Sequence, residues 1–226
     1  MGIYMIRLVI RVIVVCFFML ISLGGCSFGQ NYSVRSTYSL SPESYMDLGY
    51  LKHNDVWRDL HTLLTFDNGV TVKIHPSSWY SFTHSKEFCY KDNSEFYFQV
   101  WGSVDTFFYI NDSYFLSSSG DKVSISEIKV AETDTVLYSK PEFTDAIHIK
   151  KSSLLPDKLY MLWQEGNYSE MQRDPARQYL KVTSEKFVGC ATDHYRLYLS
   201  FRTANTDEKS GYWLYFYPVE YKTFSR

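Results

Sequence analysis

From residue 63 onward apolar side chains recur at every second position, and that period leaves few folds open. In "LLTFDNGVTVKIH" Val70, Val72 and Ile74 alternate after Asp67-Asn68-Gly69. Successive side chains of a strand point to opposite faces, so the alternation marks a half-buried strand, and the Asp-Asn-Gly triplet accepts the positive φ of a tight turn. The pattern returns in "EFYFQVW" with Phe96, Phe98 and Val100, in "TFFYI", and in "RLYLSFR" with Leu197, Leu199 and Phe201. In "KVSISEIKVAE" Val123 and Ile125 alternate, but Ile128 and Val130 are out of step. One extra residue near Ser126 or Glu127 restores the phase, which predicts a β-bulge there.

Shorter strands are predicted at residues 135–138, 146–149 and 159–164, the last reading "LYMLWQ", and "YLKVT" supplies another. The Asn/Ser-rich "NDSYFLSSSGDK" reads as a loop, and the polar "SEMQRDPARQ" as a loop with a helical turn. "GYWLYFYPVEY" is aromatic on both faces, which predicts a central strand buried on both sides, with Pro218 forcing an edge or a bulge near its end. The count is about ten short strands. The predicted fold is therefore mainly β: an antiparallel Ig-like β-sandwich, as one body or as two packed sandwich-like halves divided near residue 120, with little helix. The 20 Tyr, 16 Phe and 5 Trp fit that class, since aromatic side chains cover a pleated, half-buried surface.

The N-terminus is built differently. Arg7 and Arg11 precede the apolar run of residues 12–23, and no acidic residue occurs before Glu43. The run spans about 18 Å as a helix, short of the ~30 Å hydrocarbon core, so it reads as a secretory signal rather than a membrane span. It ends in Leu23-Gly24-Gly25-Cys26, a large apolar residue and two small ones before a cysteine. That tetrad resembles the lipobox of bacterial lipoproteins. The resemblance implies cleavage before Cys26, a diacylglycerol thioether on its sulfur and an acylated amine, so that several acyl chains such as palmitate anchor the chain to the membrane. Ser27, where an aspartate would retain a lipoprotein at the inner membrane, implies the outer membrane, with the domain facing the periplasm. The expected organisation is a signal peptide at 1–25, a lipidated N-terminus and flexible tether at 26–42, and a β-rich domain at 43–226.

With Cys16 in the signal and Cys26 lipidated, Cys89 and Cys190 remain, an even pair in an oxidising compartment, and a disulfide between them is expected. Removing Arg7 and Arg11 leaves a mature chain with about four excess negative charges and no basic patch, which argues against a nucleic-acid partner. There is no G-x-S-x-G, no H-E-x-x-H and no P-loop, and the histidines His53, His61, His75, His84, His148 and His194 are scattered. No catalytic residue, metal site or cofactor is expected. Asp193-His194 beside Cys190 has the residue types of a nucleophile pair, but oxidation of Cys190 would leave no thiolate.

Two segments suit recognition. "PSSWYSFTHSKEF" offers Trp79, Tyr80, Phe82 and His84, and "WQEGNYSEMQRD" offers Trp163, Glu165 and Tyr168. Trp and Tyr anchor interfaces, and loops carry binding more often than sheets do. The succession "VSISEIKV", "TVLYSKP", "AIHIK" and "LLPDKLYML" resembles the Ig-like core of small periplasmic lipoproteins of the type VI secretion immunity class. The resemblance implies a toxin effector as the protein partner. The expected function is a lipid-anchored, non-enzymatic binding protein of the envelope; the alternatives are an assembly lipoprotein of an envelope complex and an envelope hydrolase.

Replacing the lipidated residue tests the anchor. Cys26→Ser should leave an unprocessed precursor without acyl mass, whereas the native chain should partition with membranes and carry the diacylglyceryl increment by mass spectrometry.

Overall fold

The computed structural model describes residues 30–40, 63–76, 93–139, 146–190 and 193–224. Residues 1–29, with Cys26, and the segment 77–92, with Trp79, Tyr80, Phe82, His84 and Cys89, lie outside them. The chain divides into a compact unit, Tyr32–Tyr221, and a second unit, Met1–Asn31 with Lys222–Arg226, of which only the strand ends 30–31 and 222–224 are described.

The strands are β1 (Gln30–Ser39), β2 (Leu64–Thr65), β3 (Val70–Pro76), β4 (Glu95–Gly102), β5 (Thr106–Leu116), β6 (Lys122–Val130), β7 (Val136–Ser139), β8 (Ala146–Ile149), β9 (Gln178–Ser184), β10 (Tyr195–Thr203) and β11 (Ser210–Phe224). Two helices, α1 (Pro156–Gln164) and α2 (Tyr168–Gln172), fall between β8 and β9. The sheet runs β1-β11-β10-β5-β6-β9-β4-β3-β2, with β7 beside β6 and β8 beside β5. The expected antiparallel, mainly β architecture is present, bent until it is nearly closed like a barrel. Its pairing follows one path, in which β6 pairs with β5 at one end and with β9 at the other.

The bulge predicted in β6 is what allows this sharing. Val123 and Ser124 pair with β5, while Ile125 faces Ser184 of β9 and Glu127 faces Thr183, so Ser126 is the extra residue. Its hydroxyl donates to the Thr183 carbonyl at 3.1 Å. The bulge bends the strand and restores phase, so that Val123, Ile125 and Ile128 are all buried. The predicted hairpin also forms: Gly69 has φ 79°, Leu64 faces Val72, and the Val70 N–H donates to the Asn68 side-chain oxygen at 3.1 Å.

Aromatic rings fill the inside of the bent sheet. Phe96 of β4 stacks on Phe115 of β5 at 4.6 Å between centroids and meets Phe216 and Tyr195 edge-on at 5.8 and 6.1 Å. Phe66, at the hairpin turn, stacks on Tyr212 of β11 at 4.2 Å. The Tyr38 hydroxyl of β1 accepts the Ile74 N–H of β3 at 2.6 Å.

Four expectations change. Residues 30–39, read as tether, form an edge strand, because Ser36, Thr37 and Tyr38 are buried against the body. Residues 159–164, read as a strand, belong to α1: Pro156 and Asp157 open a helical turn, and Leu159, Leu162 and Trp163 then share a face. Of the stretch read as a loop around Ser117 to Gly120, the turn forms there, with the Gly120 N–H donating to the Ser117 carbonyl at 2.9 Å, but residues 111–116 continue β5 through a bulge held by Ser113, whose hydroxyl donates to the Tyr109 carbonyl and accepts the Ser200 N–H. β11 is not buried on both sides. Leu214 and Phe216 face the core, while Trp213 lies half-buried on the outside against Tyr114 and Tyr198.

The ring stack makes Phe96 a keystone. Phe96→Ala should lower the unfolding free energy by about 3–5 kcal/mol, read as a shifted urea midpoint with an unchanged slope.

Candidate functional site

Between β8 and β9 the chain leaves the sheet for residues 150–177 and returns. Buried Asp174 fastens this excursion: the Ser152 hydroxyl donates to one carboxylate oxygen, and the Ala176 N–H donates to the other at 3.0 Å. The Ser152 N–H in turn donates to the Gly102 carbonyl at 2.8 Å, which ties the start of the excursion to the end of β4. Helix α1 buries Leu159, Leu162 and Trp163 with Leu63, Trp101 and Met171 in a second, small core. It ends on Gly166 at φ 74°, where the Asn167 N–H donates to the Leu162 carbonyl at 2.8 Å and the Gly166 N–H to that of Trp163 at 3.2 Å. This Schellman closure needs a left-handed residue, which glycine supplies without strain, and it turns the chain directly into α2.

The helices cover only part of the sheet's outer face. Strand alternation and register place Thr71 opposite Trp101, Lys73 opposite Gln99, and His75 opposite Tyr97, all on that face; Tyr179 of β9 lies on the far side of Gln99. Thr71 and Trp101 are covered by the small core. The remaining rows form the floor of an open cleft of about 500 Å³, lined by Lys73, His75, Tyr97, Gln99 and Tyr179 from the sheet and by Tyr168, Met171 and Gln172 from α2.

Lys73 is the unusual residue. It is only 9% exposed, and its Nζ lies 5.0 Å from the centroid of the Tyr168 ring. Cations around the cleft have partners: Lys181 with Glu95 at 3.0 Å, Arg177 with Glu132 at 2.7 Å, and Lys158 with Glu170 at 3.8 Å. Among the described residues no carboxylate pairs with Lys73 and none lines the cleft. Burial pushes the Lys73 ammonium down to about 8. Burial, then the charge of Lys73, pushes His75 down to about 4. Tyr179 is pushed up by burial first, then by Tyr97 and Glu132, with Arg177 opposing. At neutral pH the site therefore presents a positive charge, an uncharged imidazole and hydrogen-bond donors among aromatic walls.

Of the residues predicted to bind a partner, Tyr168 lies at this cleft. Trp163 points the other way, into the small core, and Glu165 is exposed at the end of α1. Trp79, Tyr80, Phe82 and His84 lie outside the described residues. Cys190 is disulfide-bonded, with its partner outside them too. Its N–H donates to the Asp193 carboxylate at 2.7 Å, so Asp193 serves a backbone turn. Among the described residues no three His, Cys, Asp or Glu side chains are grouped to hold a metal ion. Neither a protein-family description nor a curated protein nor a solved structure matches the chain. Sequence reasoning passed over Lys73, Gln99, Tyr97 and Tyr179. They look like ordinary outward positions of their strands, and the helix that half-covers them, Tyr168–Gln172, is far from Lys73, Tyr97 and Gln99 in sequence.

A lysine buried with no counter-charge among the described residues should burden the fold. Its folded value lies below the ordinary 10.5, so between about pH 8 and 10.5 the unfolded chain holds the extra proton and stability rises with pH. The same reasoning for His75 makes stability fall as the pH drops from about 6.5 to 4. Lys73→Met should therefore be more stable than the native chain by about 1–3 kcal/mol at pH 7, with the gap closing toward pH 10, as measured by urea unfolding at both pH values.

Proposed function

We propose that this chain is a lipid-anchored binding protein of the bacterial envelope and that it engages its partner through the cleft between α2 and the outer face of β3, β4 and β9. The observation that carries the reading is Lys73: an ammonium nine-tenths buried, with no carboxylate beside it among the described residues, in a cleft walled by tyrosines. A fold that keeps a destabilising charge at the mouth of a cleft has a use for it in a complex, where an incoming group can neutralise it. Tyrosine walls suit recognition, since each ring offers a large apolar face and a hydroxyl with little conformational entropy to lose. The cleft also adjoins the first predicted recognition segment in sequence, because β3, which carries Lys73 and His75, runs directly into residues 77–88.

The anchor would hold this surface in the periplasm, on the inner leaflet of the outer membrane. The partner would be a protein, and the resemblance to immunity lipoproteins makes it a secreted toxin effector whose functional surface is blocked sterically. The Ig-like sandwich belongs to the same reading, as a rigid frame that presents the cleft.

A site-specific variant tests the proposal. Tyr168→Glu would set a carboxylate beside Lys73 and fill the opening from within. A partner recovered by the tagged native lipoprotein from envelope extracts should fall at least tenfold with this variant, while Glu208→Gln, in the exposed turn between β10 and β11, should recover it normally. Equal recovery by Tyr168→Glu and the native chain would remove the cleft from the function.

A further inference from the structure

Taking the cleft as a recognition site, we infer that it accepts a single carboxylate borne on a flat apolar body, either a free aryl or acyl acid or an aromatic residue at the C-terminus of a peptide.

The geometry supports this in three ways. Lys73 is the charge on the floor, and Gln99 and Gln172 offer amide donors from opposite sides, one from β4 and one from α2. A carboxylate between them would replace the water that Lys73 lost on burial and gain charge-assisted hydrogen bonds in a poorly solvated place. Tyr97 and Tyr179 lie 6.0 Å apart between centroids, and Tyr168 closes over Lys73 from above, so a planar body attached to the anion would meet ring faces and edges. The volume of about 500 Å³ is that of a small-ligand pocket and would hold one ring with its acid.

The charge count selects the class of anion. One ammonium with no carboxylate partner among the described residues balances a monoanion. A phosphate carries roughly 1.5–2 negative charges near neutral pH and would leave about one of them unpaired beside the neutral imidazole of His75. The groups facing Lys73 are His75 on its own strand, Tyr97 on β4, Tyr179 on β9 and Tyr168 on α2; Arg177 and Lys181 border the β9 side and already hold Glu132 and Glu95. Binding should accordingly be level between about pH 5 and 8 and weaken above 8 by up to tenfold per unit, as Lys73 loses its proton.

The test is a calorimetric or NMR titration of the full chain with phenylacetate, phenylacetamide, inorganic phosphate, and a tetrapeptide ending in phenylalanine with a free or an amidated terminus. Phenylacetate or the free-acid peptide should bind at least tenfold more tightly than its amide and more tightly than phosphate. The tighter of the two names the source of the carboxylate. Lys73→Met should lose that preference while remaining folded, and Tyr168→Ala, altered at an exposed position, should weaken both acids several-fold. Acids binding no better than amides, phosphate binding best, or Lys73→Met binding like the native chain would each overturn the inference. Should every acid fail while Tyr168→Glu still abolishes partner recovery, the carboxylate is wrong and the binding role stands. Should acids bind while recovery ignores Tyr168→Glu, the converse holds.

Discussion

A sheet of eleven strands has an apolar face too large to leave in water, so it must fold onto itself. Everything else in this protein follows from how that is done. One strand, β6, takes an extra residue at Ser126 and so pairs with β5 at one end and β9 at the other. Rings then meet across the inside of the bent sheet, Phe96 against Phe115, Tyr195 and Phe216, and Phe66 against Tyr212. Large rings fill that interior where shorter side chains would leave voids. The phenol of Tyr38 ties β1 to β3, accepting the Ile74 N–H.

Closing the inner face leaves the outer one to be managed, and the two halves manage it differently. On β5, β10 and β11 the rings of Tyr114, Tyr198 and Trp213 pack across neighbouring strands, with Lys122 3.9 Å from the centroid of Tyr114 and Arg196 5.4 Å from that of Trp213. Flat rings capped by flexible cations shield the sheet without adding a layer. On β3, β4 and β9 the cover is a helical excursion stitched down by Asp174 and packed on Trp101. That cover is too short to span the face. Among the described residues the cleft is the uncovered remainder, and Lys73 lies on its floor with Tyr168 of α2 over it and no carboxylate beside it.

The inner face was legible in the sequence because it rests on local information. Alternation named Phe96, Phe98 and Val100, the Asn68-Gly69 turn fixed its hairpin, and the phase slip between Ile125 and Ile128 located the bulge without any knowledge of a partner strand. Where local signals conflicted, tertiary contacts decided. "LYMLWQ" satisfies a period of two and of 3.6 equally, and Pro156 with Asp157 was the cue that favoured helix. Residues 30–39 have no apolar period at all, yet Tyr38 finds Phe216 at 5.5 Å and Ser36 finds the Tyr195 hydroxyl at 3.0 Å, contacts that no reading of the segment alone supplies. The cleft shows the same limit more sharply. Tyr168 stood out as an aromatic residue in a polar stretch, whereas Lys73 in "VTVKIH" is indistinguishable from any solvated lysine until α2 lies across it.

That juxtaposition sets stability against use. A methionine at position 73 would pack the same space without a desolvated charge, and the rest of the fold, whose core is made elsewhere, would gain by it. A lysine at this position has a physical rationale only in a state where the charge is answered. Lys181, Arg177 and Lys158 are answered from within the chain, by Glu95, Glu132 and Glu170. The ammonium of Lys73 is therefore the place where the binding energy of an incoming anion would be largest, because burial has already removed the water that would otherwise compete with it.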